Sequence, residues 1–155
     1  MDIGKFLVSL TLLWIFPLAA LCQSATECDK ILGVYEVVGE VTGEKARVEF
    51  YRESDSYQAR MIWLENPSNP DGSPRLDADN PDPELRKRSA VGIVLIHGLR
   101  YDEKAGSWTG GRIYNPIGGK TYDVNAEFED AGTLKVRGYI GKPMLGKTYY
   151  WKKLK

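Results

Sequence analysis

Residues 120–154, KTYDVNAEFEDAGTLKVRGYIGKPMLGKTYYWKKL, decide the fold class. They contain three stretches rich in β-branched and aromatic residues: Lys120–Phe128, Thr133–Ile140 and Lys147–Leu154. Short connections containing Gly, and in one case Pro, separate these stretches, and both residue types favour turns over regular structure. The segment therefore predicts three consecutive strands joined by short turns.

The same pattern continues towards the N-terminus. No stretch is followed by a long amphipathic helix, which argues against a parallel α/β sheet. Eight antiparallel strands with short connections usually close into a barrel or split into a sandwich. We predict an all-β fold, an up-and-down barrel of about eight strands. Its five further strands are Ile31–Val41, Ala46–Tyr51, Tyr57–Leu64, Val91–Leu99 and Trp108–Tyr114.

Residues 65–90 interrupt this rhythm. They hold five of the eight prolines and no predicted strand, so the connection is either functional or a flap over one barrel end. Asp82 followed by Pro83 predicts the start of a short helix, because Asp is a good N-cap and Pro suits the first helical position. Arg86 and Arg88 lie near its C-terminal end, where cations are favoured. We assign Asn80, Asp82, Arg86 and Arg88 to this flap and its helix cap.

The N-terminus predicts export. Residues 6–21 are almost entirely apolar but too short to span a bilayer, Pro17 interrupts them, and small residues follow. We predict a secretory signal peptide over residues 1–24 and a single barrel domain over 25–155, in the periplasm or outside the cell. The alternatives are an uncleaved anchor and a lipid attached to Cys22. The second is less favoured because Leu21, not a small residue, precedes that cysteine.

Composition restricts the possible partners. The chain has 155 residues, with 21 Lys and Arg against 21 Asp and Glu. Without a basic surplus, electrostatics cannot be the main attraction to nucleic acid or an anionic membrane. Two cysteines are too few for a disulfide-dense scaffold or a structural zinc site. If the signal peptide is removed, Cys28 is the single cysteine of the mature sequence. It could pair between molecules or be reactive, and we interpret it as an incidental thiol near the terminus. We predict no nucleic-acid partner, no transmembrane span in the mature protein, no cofactor and no metal.

Catalytic signatures are absent from the sequence. His97 lies in an apolar run and is expected to be a partly buried structural residue. An EF-hand calcium loop that began at Asp77 would need Gly at its sixth position and Glu at its twelfth, but these positions are Asp82 and Arg88. No nucleophile–base motif is visible, which favours a protein that is not an enzyme. A carboxylate pair of the glycosidase type needs only proximity in space and stays open.

A ligand site is suggested by strand alternation. Trp108, Gly110, Arg112 and Tyr114 are predicted to share one strand face. Small barrels can hold one ligand, and an inward Arg112 would suit a carboxylate or phosphate head group. Alternatively, Arg112 faces water or pairs with an acidic side chain, which leaves a filled barrel. The candidate ligand-binding residues are Arg112, Tyr114, Trp108, Trp63, Tyr122 and Phe50, with Met61, Val136 and Ile140 as further inward residues.

Several motifs resemble one bacterial family, catalogued as domain of unknown function 2147. They are NPDPELRKR at 80–88, GGRIYNP at 110–116, GKTY at 119–122 and LKVRGYIG at 134–141. The resemblance extends from Gly33 to Lys153. It implies an exported bacterial protein without an established reaction, and it supplies no catalytic residues.

The barrel also resembles the lipocalins. Those barrels open with Gly-x-Trp on the first strand, and a basic residue from the end of the chain packs on that Trp. Here the corresponding residues are Gly33 and Tyr35 at the start, and Trp151 and Lys153 at the end. The resemblance implies that these four residues pack together at one end of a lipocalin-like barrel.

Two functions follow from these observations. The first is a barrel that binds a small amphipathic, lipid-like molecule. The second is an envelope-associated interaction or structural protein with a packed barrel, which acts through its outer face or the loop at 65–90.

Overall fold

A computed structural model describes residues 27–155. The predicted signal peptide at 1–24 and Cys22 lie outside the described residues. The strands are β1 Gly33–Val38, β2 Lys45–Glu53, β3 Ser56–Leu64, β4 Val94–Asp102, β5 Ser107–Asn115, β6 Lys120–Asp130, β7 Thr133–Tyr139 and β8 Lys147–Lys153. Three short 3₁₀ helices accompany them, at Asp29–Ile31, Pro83–Lys87 and Pro143–Leu145.

The eight strands form a closed antiparallel barrel in which each strand pairs with the next and β8 returns to β1. This confirms the predicted all-β, lipocalin-like architecture. Four connections lie at one end of the barrel: residues 39–44, 65–93, 116–119 and 140–146. We call this the open end. The opposite end, which receives the N-terminal 3₁₀ helix, is the closed end.

Large side chains pack at the closed end. Ile31 of the first 3₁₀ helix is fully buried, and the Tyr35 hydroxyl donates to its carbonyl oxygen at 2.9 Å. The Trp108 indole N–H donates to the Cys28 carbonyl at 3.0 Å. Tyr35 and Phe50 meet edge to face with ring centroids 5.4 Å apart. The N-terminal helix therefore seals this end of the barrel through both apolar contacts and hydrogen bonds.

Register shifts in β3 and β5 change which of the predicted ligand-binding residues face the barrel interior. In β5 the pairing shifts between Trp108 and Gly111, and Gly110 has a φ of +72°, a conformation that favours glycine. In β3 one extra residue, Ile62, lies between Met61 and Trp63, which pair with consecutive residues of β2. A bulge of one residue moves every later side chain on that strand to the other face.

The loop at 65–90, here the flap, is an ordered structure along the rim of the open end. At its start, Arg75 pairs with Glu44 in the β1–β2 turn at 2.6 Å. Further along, the carboxylate of Asp79 accepts from the Gly118 N–H in the β5–β6 turn at 2.9 Å. The predicted helix is a 3₁₀ helix, Pro83–Lys87, with Asp82 accepting from the Glu84 N–H at 3.0 Å. The flap therefore connects two turns of the rim.

Candidate functional site

The inner face of the barrel changes from fully buried at the closed end to partly exposed at the open end. In the middle and at the closed end, Val48, Ile96, Val124 and Leu134 are each 1% exposed or less. At the open end, six apolar or aromatic side chains of the inner face are only partly buried: Val37, Met61, Leu64, Ile113, Tyr122 and Tyr149. We call this set the mouth.

The registers of five strand pairs place the mouth residues on the inner face. Val37 pairs with Ala46 in the adjoining strand, and Ala46 pairs with Leu64. Ile113 pairs with both Ile96, which is fully buried, and Tyr122. The small residues Ala46 and Gly138 also lie on this inner face. The open end is thus lined by apolar side chains of mixed size.

A cationic group lies beside the mouth. Lys147 pairs in register with Gly138, forms an ion pair with Glu40 of the β1–β2 turn, and lies 5.7 Å from the centroid of the Tyr149 ring. The hydrogen bond with Glu40 raises the pKa of Lys147. Burial raises the pKa of Tyr149, and the charge of Glu40 raises it further. The mouth therefore has an ammonium and a protonated phenol at neutral pH.

A second group of polar residues holds the flap against the barrel, around the buried carboxylate of Asp77. This carboxylate is fully buried and accepts from the Tyr114 hydroxyl at 2.6 Å, from the Asn80 amide at 2.7 Å and from Arg88 Nε at 2.8 Å. Burial alone would raise the pKa of Asp77, but the hydrogen bonds outweigh it and the pKa is lowered. Burial and the bond to Asp77 raise the pKa of Tyr114 to about 12. Arg86 Nε donates to the Asn80 carbonyl at 2.7 Å.

The structure separates the predicted ligand-binding residues into two sets. Phe50, Trp108 and Tyr122 lie on the inner face. Arg112, Tyr114 and Trp63 do not, and their predicted inward orientation is wrong. The bulge at Gly110 turns Arg112 and Tyr114 outwards, and the extra residue Ile62 does the same to Trp63.

Each outward residue has a different partner. Arg112 is 60% exposed and lies 3.4 Å from Asp123, which matches the alternative of an acidic partner. Trp63 stacks against Arg47, with the guanidinium 4.9 Å from its ring centroid. Tyr114 is covered by the flap, and its hydroxyl donates a hydrogen bond to the carboxylate of Asp77 in the flap. Ile140, also expected inside, is 70% exposed in the β7–β8 loop. His97 is exposed on the outer face rather than partly buried, because it pairs in register with Arg112.

The barrel-end residues lie together. The Lys153 ammonium lies 5.7 Å from the centroid of the Tyr35 ring and 5.5 Å from that of Phe128. The rings of Phe50 and Trp151 are 5.9 Å apart. A Cβ added at Gly33 would lie 2.0 Å from the carbonyl oxygen of Lys155. Only glycine therefore allows the end of the chain to approach β1 here.

Sequence reasoning missed the role of Asp77, which it grouped with the acidic turn residues. Two cationic flap residues, Arg86 and Arg88, were the signal that a buried carboxylate could be neutralised there. Among residues 27–155, no group of three or more His, Cys, Asp or Glu side chains could hold a metal ion. No helix in this part of the chain is long and apolar enough to cross a bilayer.

Two surface cavities lie outside the barrel. One, of about 430 Å³, is lined at the start of the flap by Glu44, Asn66, Ser68, Asn69, Pro70 and Arg75. The other, of about 140 Å³, is lined by Ser107, Asn125, Ala126, Glu127, Lys135 and Arg137. Both are bordered mainly by polar side chains.

Comparison with known proteins agrees with this architecture. Residues 33–153 match the family described as "Uncharacterized protein conserved in bacteria (DUF2147)". Among solved structures, the chain is similar to protein HP1028 from the human pathogen Helicobacter pylori, which is described as belonging to the lipocalin family. The two are 33% identical, the match covers 81% of this chain and 83% of the other, and the TM-score is 0.67. No curated protein sequence matches the chain.

Proposed function

The chain belongs to the DUF2147 family of uncharacterised bacterial proteins, and from this premise we propose that its barrel binds a small amphipathic molecule at the open end. The observation that carries the proposal is the change in burial along the inner face. Aromatic side chains seal the closed end, whereas apolar inner-face side chains of the mouth stay in contact with solvent. Ligand sites in small barrels are found at such mouths, with apolar walls and a few polar groups.

The chemistry of the mouth suggests the class of ligand. Its apolar side chains would contact an alkyl or ring system. The Lys147 ammonium and the Tyr149 hydroxyl would contact a polar, preferably anionic, head group, since both can donate hydrogen bonds to it. The head group would replace Glu40 as the ion-pair partner of Lys147. A head group with a full negative charge is favoured, because it would have to compensate for the lost carboxylate. Arg112, the anchor predicted from the sequence, has no part in this site because it lies on the outer face.

Native mass spectrometry tests this function. Protein purified without detergent should show an additional mass of a single lipid-like molecule per barrel, removable by organic extraction. Replacement of Lys147 by Glu should reduce the occupied fraction, whereas Lys135→Glu, on the outer face of β7, should not. Protein that carries no bound mass and takes none up from a mixed lipid extract would contradict the proposal.

We also propose that the protein acts outside the cytoplasm, in the periplasm or the extracellular space. The apolar residues 6–21 and the small residues after them support this location. Cell fractionation and N-terminal sequencing of the mature protein test it. A protein retained in the cytoplasm with an intact N-terminus would contradict it.

A second function, protein recognition through the flap, is favoured by the groove of about 430 Å³ at its start. Polar groups line this groove, and a short bridge between Ser68 and Pro74 holds its wall. Deletion of residues 66–74 should abolish capture of a partner while the barrel stays folded. Unchanged capture would count against this function.

A further inference from the structure

Apolar side chains are unusually exposed at the open end. Within residues 27–155, every large hydrophobic side chain that is at least 60% exposed lies in one of three loops there. These side chains are Val41 at 89%, Met144 at 86%, Leu145 at 82%, Ile140 at 70% and Ile117 at 60%. Scattered exposed apolar residues are normal, but their concentration at one end of a barrel indicates a contact surface.

The loop that carries three of them is held in place by the barrel. Arg137 in β7 donates from Nε to the Pro143 carbonyl at 2.5 Å and from Nη2 to the Met144 carbonyl at 3.2 Å. Its remaining nitrogen, Nη1, donates to the Thr148 hydroxyl at 2.6 Å. The 3₁₀ helix Pro143–Leu145 is therefore held against β7, with the side chains of Met144 and Leu145 directed to solvent. Their exposure is a feature of an anchored loop.

Two lysines accompany these apolar side chains. Lys120 follows the β5–β6 turn that carries Ile117, and Lys142 lies two residues before Met144. Neither forms an ion pair with another described residue of the chain. Protruding apolar tips flanked by lysines fit the interface of a phospholipid bilayer, where apolar groups enter the acyl boundary and ammonium groups remain among anionic head groups.

A second copy of the chain fits this surface less well. In a symmetric dimer the lysines of both copies would approach each other, and like charges at an interface are costly. The apolar side chains are also spread over three separate loops, whereas a stable protein interface needs a continuous complementary surface.

We propose that the open end docks on the surface of a phospholipid bilayer through Val41, Ile117, Ile140, Met144 and Leu145. The apolar side chains supply most of the binding, and Lys120 and Lys142 strengthen it on anionic lipid. This is consistent with a chain of zero net charge, because the attraction does not depend on a basic surplus. The docking surface does not require that the mouth hold a ligand, although it would direct the mouth towards the membrane.

Vesicle flotation tests the proposal on residues 27–155, which contain all eight strands of the closed barrel and exclude the apolar residues 6–21. We expect the protein to float with phosphatidylcholine vesicles, and more strongly when phosphatidylglycerol is added. Met144→Asp combined with Leu145→Asp should lower the partition coefficient about tenfold or more, since two apolar contacts are replaced by charges. The control Leu154→Asp, at the opposite end, should bind as the unmodified chain does.

Three results would overturn the proposal. The first is a protein that floats with neither vesicle. The second is a double variant that binds as well as the unmodified chain does, with circular dichroism confirming that both are folded. The third is a lipid-free dimer in sedimentation that the double variant abolishes, since a second copy would then be the occupant. Ligand binding by the mouth is measured without vesicles, so the failure of one proposal can be told from that of the other.

Discussion

The ammonium of Lys153 lies over the ring of Tyr35, 5.7 Å from its centroid, at the seam where the barrel closes. This seam is short, because β8 pairs with β1 at only two positions, Tyr35–Lys153 and Glu36–Lys152. In contrast, β1 and β2 pair at six positions. Burial lowers the pKa of Lys153. Backbone hydrogen bonds between Val34 and the two residues after β8, Leu154 and Lys155, extend the seam, and the cation–π contact adds a side-chain interaction to it.

Removal of the Lys153 side chain should weaken this seam. We expect Lys153→Ala to lower the free energy of unfolding by about 1 kcal/mol, because the ammonium loses its cation–π contacts with Tyr35 and Phe128 and its hydrogen bond to the Lys30 carbonyl. Lys153→Arg should retain most of it, because a guanidinium also binds aromatic faces. Urea denaturation measures the change. Equal losses for Lys153→Ala and the control Lys152→Ala, on the outer face, would show that the contact contributes nothing.

Trp108 and Trp63, both predicted from the sequence to be ligand-binding residues, should differ strongly in their contribution to stability. Trp108 is 2% exposed on the inner face, and Trp63 is 38% exposed on the outer face. Trp108→Ala should lower the free energy of unfolding by about 4 kcal/mol, and Trp63→Ala by about 1 kcal/mol. If Trp108→Ala does not fold, Trp108→Phe serves instead, with a smaller loss. Similar losses at both positions would contradict the bulge at Ile62.

The buried Asp77 should make the stability of the flap depend on pH. Its pKa is lowered on folding, so its contribution is complete above the unfolded value of about 3.9 and disappears as the pH falls through the folded value. At pH about 7, Asp77→Asn should cost about 3 kcal/mol, because Arg88 loses its charged partner.

Denaturation of both forms at neutral and acid pH measures this dependence. The difference between the unmodified chain and Asp77→Asn should shrink as the pH falls below the unfolded value of about 3.9 and through the lowered folded pKa. The control Asp79→Asn keeps an oxygen that can accept from Gly118 and should show a smaller effect. A difference between the unmodified chain and Asp77→Asn that does not change with pH would contradict the assignment of a lowered pKa to Asp77.

Substitutions at the adjacent glycines Gly118 and Gly119 distinguish the cost of a steric clash from the cost of backbone strain. Both have a positive φ, but a Cβ at Gly119 would lie 1.9 Å from the Asp79 carbonyl oxygen, whereas a Cβ at Gly118 would meet nothing within 4 Å. Gly118→Ala should therefore cost about 1 kcal/mol of strain. Gly119→Ala should cost more and should release the flap to limited proteolysis. Equal protease sensitivity in the two variants would show that the β5–β6 turn does not hold the flap.

The sequence was a good guide to the fold because the information that sets the strands is local. Aromatic and β-branched runs, ended by Gly and Pro, predicted all eight strands within a few residues of their positions. These strand signals depend on neighbouring residues, which a single sequence displays directly. Closure of the barrel joins residues far apart in sequence, and it was predicted from the number of strands and from the resemblance of Gly33, Tyr35 and Lys153 to the lipocalin pattern.

The orientation of side chains was harder to predict, because it depends on pairing between strands. Trp108 was placed correctly on the inner face, but Arg112, only four residues later, was not. A bulge at Gly110 lies between them, and nothing in simple alternation gives its position. The pair Gly110–Gly111 was a usable signal, since Gly111 also leaves room for the Leu99 side chain. Asp77 was missed because its partner Tyr114 is distant in sequence.

A titration of the mouth with a fluorescent single-chain fatty acid, parinaric acid, tests the central claim most directly. Ala46 lies on the inner face between Val37 and Leu64, and Lys45 beside it points outwards. We predict saturable binding of one molecule per barrel, lost in Ala46→Trp, which fills the mouth, and retained in Lys45→Trp. No saturable binding by the unmodified chain, or equal binding by the two variants, would contradict the assignment of the open end as a ligand site.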